Sequence, residues 1–239
     1  MTGQDVFVPE ILYEDNHIIA INKKSSQIVQ GDKTGDEPLV ELLKSFIKQR
    51  DNKPGDVYMG VVHRLDRPVG GVIIFAKTSK SLIRLNSMFR AGEVNKTYLA
   101  IVKNAPPKEH DALTHYLYRN EGQNKSYAYD FPKKNTKEAR LEYSVAGKID
   151  NYTLLKIRLF TGRHHQIRCQ LAAIGSPIKG DLKYGFDRSN KDASISLMAY
   201  SISFIHPVKQ ERISITAPLP NTDVWSFFKD AGKLKIESV

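Results

Sequence analysis

The chain has 239 residues, enough to bury a core unaided, and its single cysteine, Cys169, excludes a disulfide framework and multi-cysteine metal motifs. Lys and Arg number 36 against 26 Asp and Glu, a formal charge of +10 that calls for an anionic partner, either a nucleic acid or an acidic membrane surface. At 41% hydrophobic residues, with no run approaching ~20 apolar positions, the composition fits a soluble globule and excludes both a disordered tail and a helical membrane span. The opening MTGQDVFVPE has no apolar signal region, so a cytoplasmic location is expected.

In chain order, Ile11 to Lys23 reads as two strands broken at Asp15-Asn16, with Ile18–Ile21 as a buried run. Leu39, Leu42, Leu43, Phe46 and Ile47 recur at helical spacing behind Pro38, which predicts a helix over 38–50. Short strands are expected at Val57–Val62 and Val72–Lys77. A helix capped by Ser79 follows, carrying Leu82, Leu85 and Phe89, and then a strand over Lys96–Lys103. Pro106-Pro107 is the best candidate for an internal boundary. Arg119–Arg140 is polar and Lys-rich, and reads as loops or a long projecting hairpin. Paired strands over 139–146 and 152–160, a helix over 164–174, strands over 197–205 and 211–217 and a helix near Val224–Ala231 complete the chain. The expected class is α+β, with a mixed, largely antiparallel central sheet flanked by helices and loops.

Three passages could carry chemistry. His63-Arg64-Leu65-Asp66-Arg67-Pro68-Val69-Gly70-Gly71 sets one carboxylate among cations between two apolar strands. One reading is a connecting loop in which Asp66 pairs with a neighbouring arginine. The other is delivery of Asp66 into a cleft, with the glycines letting a substrate approach the backbone. Thr161-Gly162-Arg163-His164-His165-Gln166-Ile167-Arg168 joins a strand to a helix, and from Lys156 to Arg168 there are four Lys or Arg, two His and no acid. Such a cluster is either a solvated helix start or the partner of phosphates or a buried carboxylate, for which Asp66 is a candidate. At helical spacing His164 and Arg168 share a side of that helix. In Lys179-Gly180-Asp181-Leu182-Lys183-Tyr184-Gly185, Asp181 reads as a turn residue bonded to nearby amides, and Tyr98 as an ordinary strand aromatic. His63, Asp66, His164 and His165 could ligate a divalent ion, but the additional carboxylates of a two-metal hydrolase are missing, as are HExxH, Walker A, GxGxxG and GxSxG motifs.

Taken together, HRLDRPVGGVIIFAKTSKSL, NKTYLAIV, TGRHHQIRCQLAAIGSPIKGDLKYG and FIHP resemble, in order, the RluA family of RNA pseudouridine synthases. The resemblance implies a pseudouridine synthase fold and an isomerase that uses neither metal nor organic cofactor. It makes Asp66 the catalytic aspartate, Tyr98 the ring stacked on the target uracil, Arg168 the partner of that carboxylate, and Arg64 the arginine entering the nucleic-acid stack. Further RNA contacts are expected from Arg67, Arg163 and His164, and from Lys133 and Lys134 along the RNA path. The chain departs from the family at Val69-Gly70, His164, Met198 and Lys24-Ser25-Ser26. One catalytic domain over residues 7–232 is expected, without a separate N-terminal RNA-binding domain, acting as a monomer on structured rRNA or tRNA and not on membranes. The rival readings are a non-catalytic RNA-binding or ribosome-assembly protein and a metal-dependent phosphohydrolase. The residues leave open whether Asp66 attacks the sugar, attacks the base or removes a sugar proton.

Overall fold

The computed structural model describes residues 7–31, 35–222 and 224–230; residues 1–6 and Ala231, part of the expected opening and last helix, lie outside them, as does the expected domain end at 232. The strands are β1 (Ile11–Glu14), β2 (Ile18–Lys23), β3 (Gly60–Val61), β4 (Gly70–Ala76), β5 (Asn95–Val102), β6 (His110–Asn120), β7 (Lys125–Tyr129), β8 (Lys137–Ile149), β9 (Tyr152–Leu159), β10 (Leu197–Ile205) and β11 (Arg212–Thr216). The helices are α1 (Leu39–Arg50), α2 (Ser79–Ala91), α3 (Gln166–Ala173) and α4 (Val224–Asp230).

All eleven strands join one sheet in the order β1-β2-β4-β10-β5-β9-β8-β6-β7, with β11 beside β10 and β3 beside β4. The β10–β4 pair is parallel and every other pair antiparallel, as the α+β reading expects. Because side chains alternate along each strand, the sheet buries two separate apolar layers. One face packs on α1 through Leu39, Leu43 and Ile47 and on α3 through Ile167 and Leu171. The other packs on α2 through Leu85 and on α4 through Trp225 and Phe228.

Several expectations change in detail. Thr78, not Ser79, caps α2: its hydroxyl accepts the Ser81 amide at 3.2 Å, while Gly92 closes the helix at φ +74°. Pro106-Pro107 does not divide the chain, since β5 and β6 on either side of it belong to one sheet. The Arg119–Arg140 stretch is a hairpin built into that sheet, in which β7 pairs with β6 and β6 with β8. The glycines after Asp66 serve backbone packing and not substrate approach: a Cβ on Gly71, at φ +108°, would stand 2.1 Å from the Ala199 carbonyl oxygen of β10. Met198 lies in the layer under α2 and α4, away from Asp66.

Candidate active site

Asp66 lies in the segment between β3 and β4. Buried Leu65 and Val69 pin that segment to the core, and the Val69 amide donates to the Asp66 carbonyl at 3.0 Å to close a turn. Lys23, 1% exposed, holds the turn from beneath. Its ammonium donates to the carbonyl of Val69 at 2.7 Å and shares its remaining protons among those of Lys24, Arg67 and Asp66 at 3.1, 3.2 and 3.4 Å. Burial pulls the Lys23 pKa down to about 7, opposed by Asp66 and aided by Arg67.

Arg168 on α3 meets two carboxylates. Its Nε and one terminal nitrogen grip both oxygens of Asp181 at 2.7 and 2.9 Å, and its other terminal nitrogen donates to Asp66 at 3.1 Å. Arg168 and Asp181 are 5% and 1% exposed, so this is a buried fork whose third arm reaches the cleft. Burial opposes its charge, but the ion pair with Asp181, supported by Asp66, raises the Arg168 pKa.

His165 stands beside the same carboxylate, with Nε2 3.6 Å from Asp66 Oδ2. The Tyr184 hydroxyl accepts the Ser126 amide at 2.8 Å and lies 3.0 Å from His165 Nδ1. It therefore has its own proton for Nδ1, which assigns the imidazole proton to Nε2, facing Asp66. Burial, reinforced by Arg168, drives the His165 pKa down to about 2 and keeps the ring neutral.

Asp66, His165 and Arg168 line a cleft of about 720 Å³. A narrower recess of about 100 Å³ is lined by Asp66, Tyr98, Leu159, Ile167, Arg168 and Leu197. Burial, and secondly Asp66, raises the Tyr98 pKa, so this hydroxyl keeps its proton. Six further cations line the cleft around Arg168, namely Arg64, Arg67, Lys96, Arg119, Arg163 and Lys183, and Asp66 is the one acid among the lining residues. Such a wall attracts a polyanion, and the recess admits a flat ring beside a carboxylate.

Of the expected site residues, Asp66, Tyr98, Arg168, Arg64, Arg67, Arg163 and His164 all line this cleft. Arg64 is exposed and makes no ion pair with another described residue, whereas Arg67 pairs with Asp36 at 2.6 Å. Arg163 Nε donates to the Glu138 carbonyl. His164 is not on the helix with Arg168: α3 starts at Gln166 because His165 adopts a left-handed φ of +52°. Instead His164 stacks on His165 at 3.7 Å and its Nδ1 meets Ser126 Oγ at 2.9 Å. At the helix start the Gln166 amide donates to the Arg163 carbonyl at 3.1 Å, which occupies one of the amides there.

Lys133 and Lys134 do not line the cleft. The Lys133 ammonium sits 3.9 Å from the ring centre of Tyr129, on the opposite face of the sheet. Asp181 is the largest correction. It is no amide-bonding turn residue but the main partner of Arg168; only its spacing from Arg163–Arg168 and its glycine flanks hinted at this. Lys23, Lys96, Arg119, Tyr184 and Lys183 also escaped sequence reasoning. The four possible metal ligands do not converge, because His63 Nε2 accepts the Ile74 amide at 3.1 Å while its ring stacks on Phe89. Among the described residues no group of three His, Cys, Asp or Glu is placed to hold a metal ion.

A carboxylate at the base of a cationic cleft, with a protonated aromatic hydroxyl in the recess beside it, suits an enzyme that works on a polyanion such as a nucleic acid. A family model described as RNA pseudouridylate synthase matches residues 17–173, and the chain belongs to that family. It is 32% identical over 235 residues to an uncharacterized RNA pseudouridine synthase of Aquifex aeolicus, covering 92% of this chain and 73% of the relative. It is 33% identical over 222 residues to the ribosomal large subunit pseudouridine synthase C of Buchnera aphidicola subsp. Baizongia pistaciae, covering 90% and 68%. The fold matches human RNA pseudouridylate synthase domain containing 4 with a TM-score of 0.75 at 21% identity, over 96% of this chain and 94% of the other. The protein is accordingly an RNA pseudouridine synthase, an isomerase acting on RNA. No helix among the described residues is long and apolar enough to cross a membrane.

Proposed function

We propose that Asp66 is the catalytic carboxylate and that the substrate is a uridine in a structured element of ribosomal RNA. The observation that carries this reading is the placement of Asp66 in the recess, held by Arg168 at 3.1 Å and lined on one side by Tyr98. A uridine in folded RNA is reached only by flipping it out of its stack, at a cost of a few kcal/mol. The cations at the cleft mouth offset that cost through phosphate contacts. Tyr98 stacks on the flipped uracil, and Arg64, exposed at the rim, enters the gap the base leaves.

Isomerisation detaches the base at nitrogen, turns it and rejoins it through carbon 5, with no net change in composition. The recess keeps the detached base from diffusing away, and the Arg168 fork fixes Asp66 relative to the sugar. His165, neutral and with Nε2 3.6 Å from the same oxygen that Arg168 holds, adds a second polar neighbour to that oxygen. Ribosomal RNA is favoured over tRNA by the names of several relatives, among them the large subunit synthases of Buchnera and Haemophilus ducreyi. Residues 7–232 would act as one catalytic unit, as a monomer, in the cytoplasm. Comparing pseudouridines in ribosomal and transfer RNA from cells with and without this gene tests the reading. Loss of one or a few ribosomal pseudouridines is expected; loss confined to tRNA would overturn the substrate assignment.

A further inference from the structure

The strands that carry the cleft have a second, exposed face. Arg119 and Ser126 pair directly across β6 and β7 and face the cleft, where Arg119 lines the wall and Ser126 holds His164. Their neighbours Tyr118 and Tyr127, also directly paired, therefore point the opposite way, each 36% exposed. Helices α2 and α4 cover this outer face only as far as Ala146 and Leu154. Beyond them a groove of about 810 Å³ opens, with Lys156 and Arg158 of β9 in its lining.

Past Arg158 comes Phe160, 38% exposed, with the Arg158 guanidinium 4.8 Å from its ring centre. On the hairpin, Phe131 is 60% exposed and the Lys133 ammonium lies 5.0 Å from its ring as well as above Tyr129. The face also holds Glu142, and Arg140 paired to Glu138 at 3.1 Å, so it is not a uniform basic patch. What distinguishes it is a set of exposed rings, of which Tyr127, Phe131 and Phe160 each lie beside a cation. That combination suits unpaired nucleotides, whose bases stack on rings while cations take the phosphates. An ammonium already above a ring is no obstacle, because an exposed cation–π contact is worth less than a stacked base.

A connection to the cleft exists at the sheet edge. β7 ends the strand order, and the Lys125 ammonium on it lies 5.6 Å from the ring of Tyr127 and 5.3 Å from that of Tyr184, which bonds His165 on the cleft side. We infer that the outer face of β6–β9 is a second RNA-binding surface, holding single-stranded nucleotides of the substrate RNA on Tyr118, Tyr127, Phe131 and Phe160, with Arg158 and Lys133 on their phosphates. RNA reaches it from the cleft around the β7 edge, past Lys125. The inference rests on the reading that the substrate is a folded RNA, but it concerns a surface that the chemistry does not use.

The test uses an oligoadenylate of about ten nucleotides, long enough for such a platform and without a uridine for the cleft. The wild-type chain binds it, and Tyr127→Ala/Phe131→Ala/Phe160→Ala weakens binding by at least about tenfold, as loss of stacked bases requires. Arg64→Ala, at the cleft mouth, weakens this binding far less than the triple variant does. Lys133→Glu/Arg158→Glu, which removes no ring, weakens it too and flattens its salt dependence, so the result does not hinge on the triple variant folding normally. No binding by the wild type, or binding as tight as the wild type's by both outer-face variants, would overturn the inference. So would a wild-type dimer that the triple variant dissociates, which would make the face a protein interface. Uridine conversion is scored in parallel: a wild type that converts but does not bind oligoadenylate sinks the platform alone, and one that binds but does not convert sinks the catalytic reading alone.

Discussion

Arg168 is anchored by Asp181 through two hydrogen bonds of 2.7 and 2.9 Å and touches Asp66 through one of 3.1 Å, so Asp181 fixes the arginine that reaches Asp66. Without Asp181 it would be a buried cation with a single hydrogen bond of 3.1 Å to a carboxylate. Breaking a buried pair by removing one member costs ~3–5 kcal/mol. Asp181→Asn is thus expected to lower the melting temperature and kcat together, although Asp181 does not line the cleft. A variant with a lower melting temperature but wild-type kcat would show that Arg168 needs no second anchor to position Asp66.

Asp66→Asn keeps the size of the side chain and one acceptor while removing the charge. It is expected to abolish conversion of uridine and leave RNA affinity within about threefold, since the cations of the cleft wall supply most of the phosphate contacts. Single-turnover conversion and RNA affinity, measured on the same preparation, check both halves. Residual conversion near the wild-type rate would remove Asp66 from the chemistry.

The elements with strong periodicity were legible from residues alone: β2 from its Ile run, α1 from Leu39, Leu43 and Ile47, and β4 from Val72–Phe75, all of them buried. The β6–β7 hairpin was legible only as one of two readings, loops or a long hairpin, because its outer face carries tyrosines and lysines where a half-buried strand shows simple polar residues. For the site, HRLD and the Arg163–Arg168 passage named the reacting end, but not what supports it. Lys23 and Asp181 look like surface residues until tertiary contacts bury them, and pairing between Arg168 in α3 and Asp181, thirteen positions on and beyond the helix end, leaves no periodic trace. The αL turn at His165 likewise moved His164 off the helix, since a helical period cannot register one residue that breaks it.

Acid should destabilise the protein before its carboxylates titrate. Burial lowers the pKa of His63 to about 3 and of His165 to about 2, and lowers those of His115, His164 and His206 as well. In each case the folded value lies below the unfolded value of ~6.5, so the unfolded chain binds more protons below that pH and stability falls as pH falls. For His165, 8% exposed, the loss approaches ~1.4 kcal/mol per pH unit below ~6.5. The melting temperature is expected to drop steadily between pH 7 and pH 5; a flat or rising profile would contradict neutral, buried imidazoles.

Lys23→Met probes the support under Asp66. Methionine fills a similar volume but leaves the carbonyls of Val69, Arg67 and Asp66 without their donor, at ~1–3 kcal/mol for each group left unsatisfied. The turn then shifts, and kcat is expected to fall by more than KM rises, because the base still enters the recess but meets a displaced carboxylate. Lys23→Arg should not rescue, its fork being too large for a site 1% exposed. A lower melting temperature with unchanged kcat would make Lys23 purely structural.

The cations of the cleft wall should act on binding and not on the chemical step. Arg119 lies on β6 and Lys183 donates to the Asn124 carbonyl at 3.1 Å, so both stand on the β6–β7 side of the cleft and neither touches Asp66. Arg119→Glu/Lys183→Glu is expected to raise the KM for RNA with kcat nearly unchanged, the pattern of lost uniform binding. Removing two phosphate contacts should also flatten the dependence of log affinity on log salt by about 1–2. The same measurements on Lys133→Glu/Lys134→Glu give the contrast, because Lys133 sits on the opposite face of the sheet. For an RNA short enough to stay within the cleft, that variant should keep its KM. If it raised KM on the short RNA as much as the Arg119 and Lys183 variant does, the RNA path would run along the hairpin face and the cleft wall would not be its first contact.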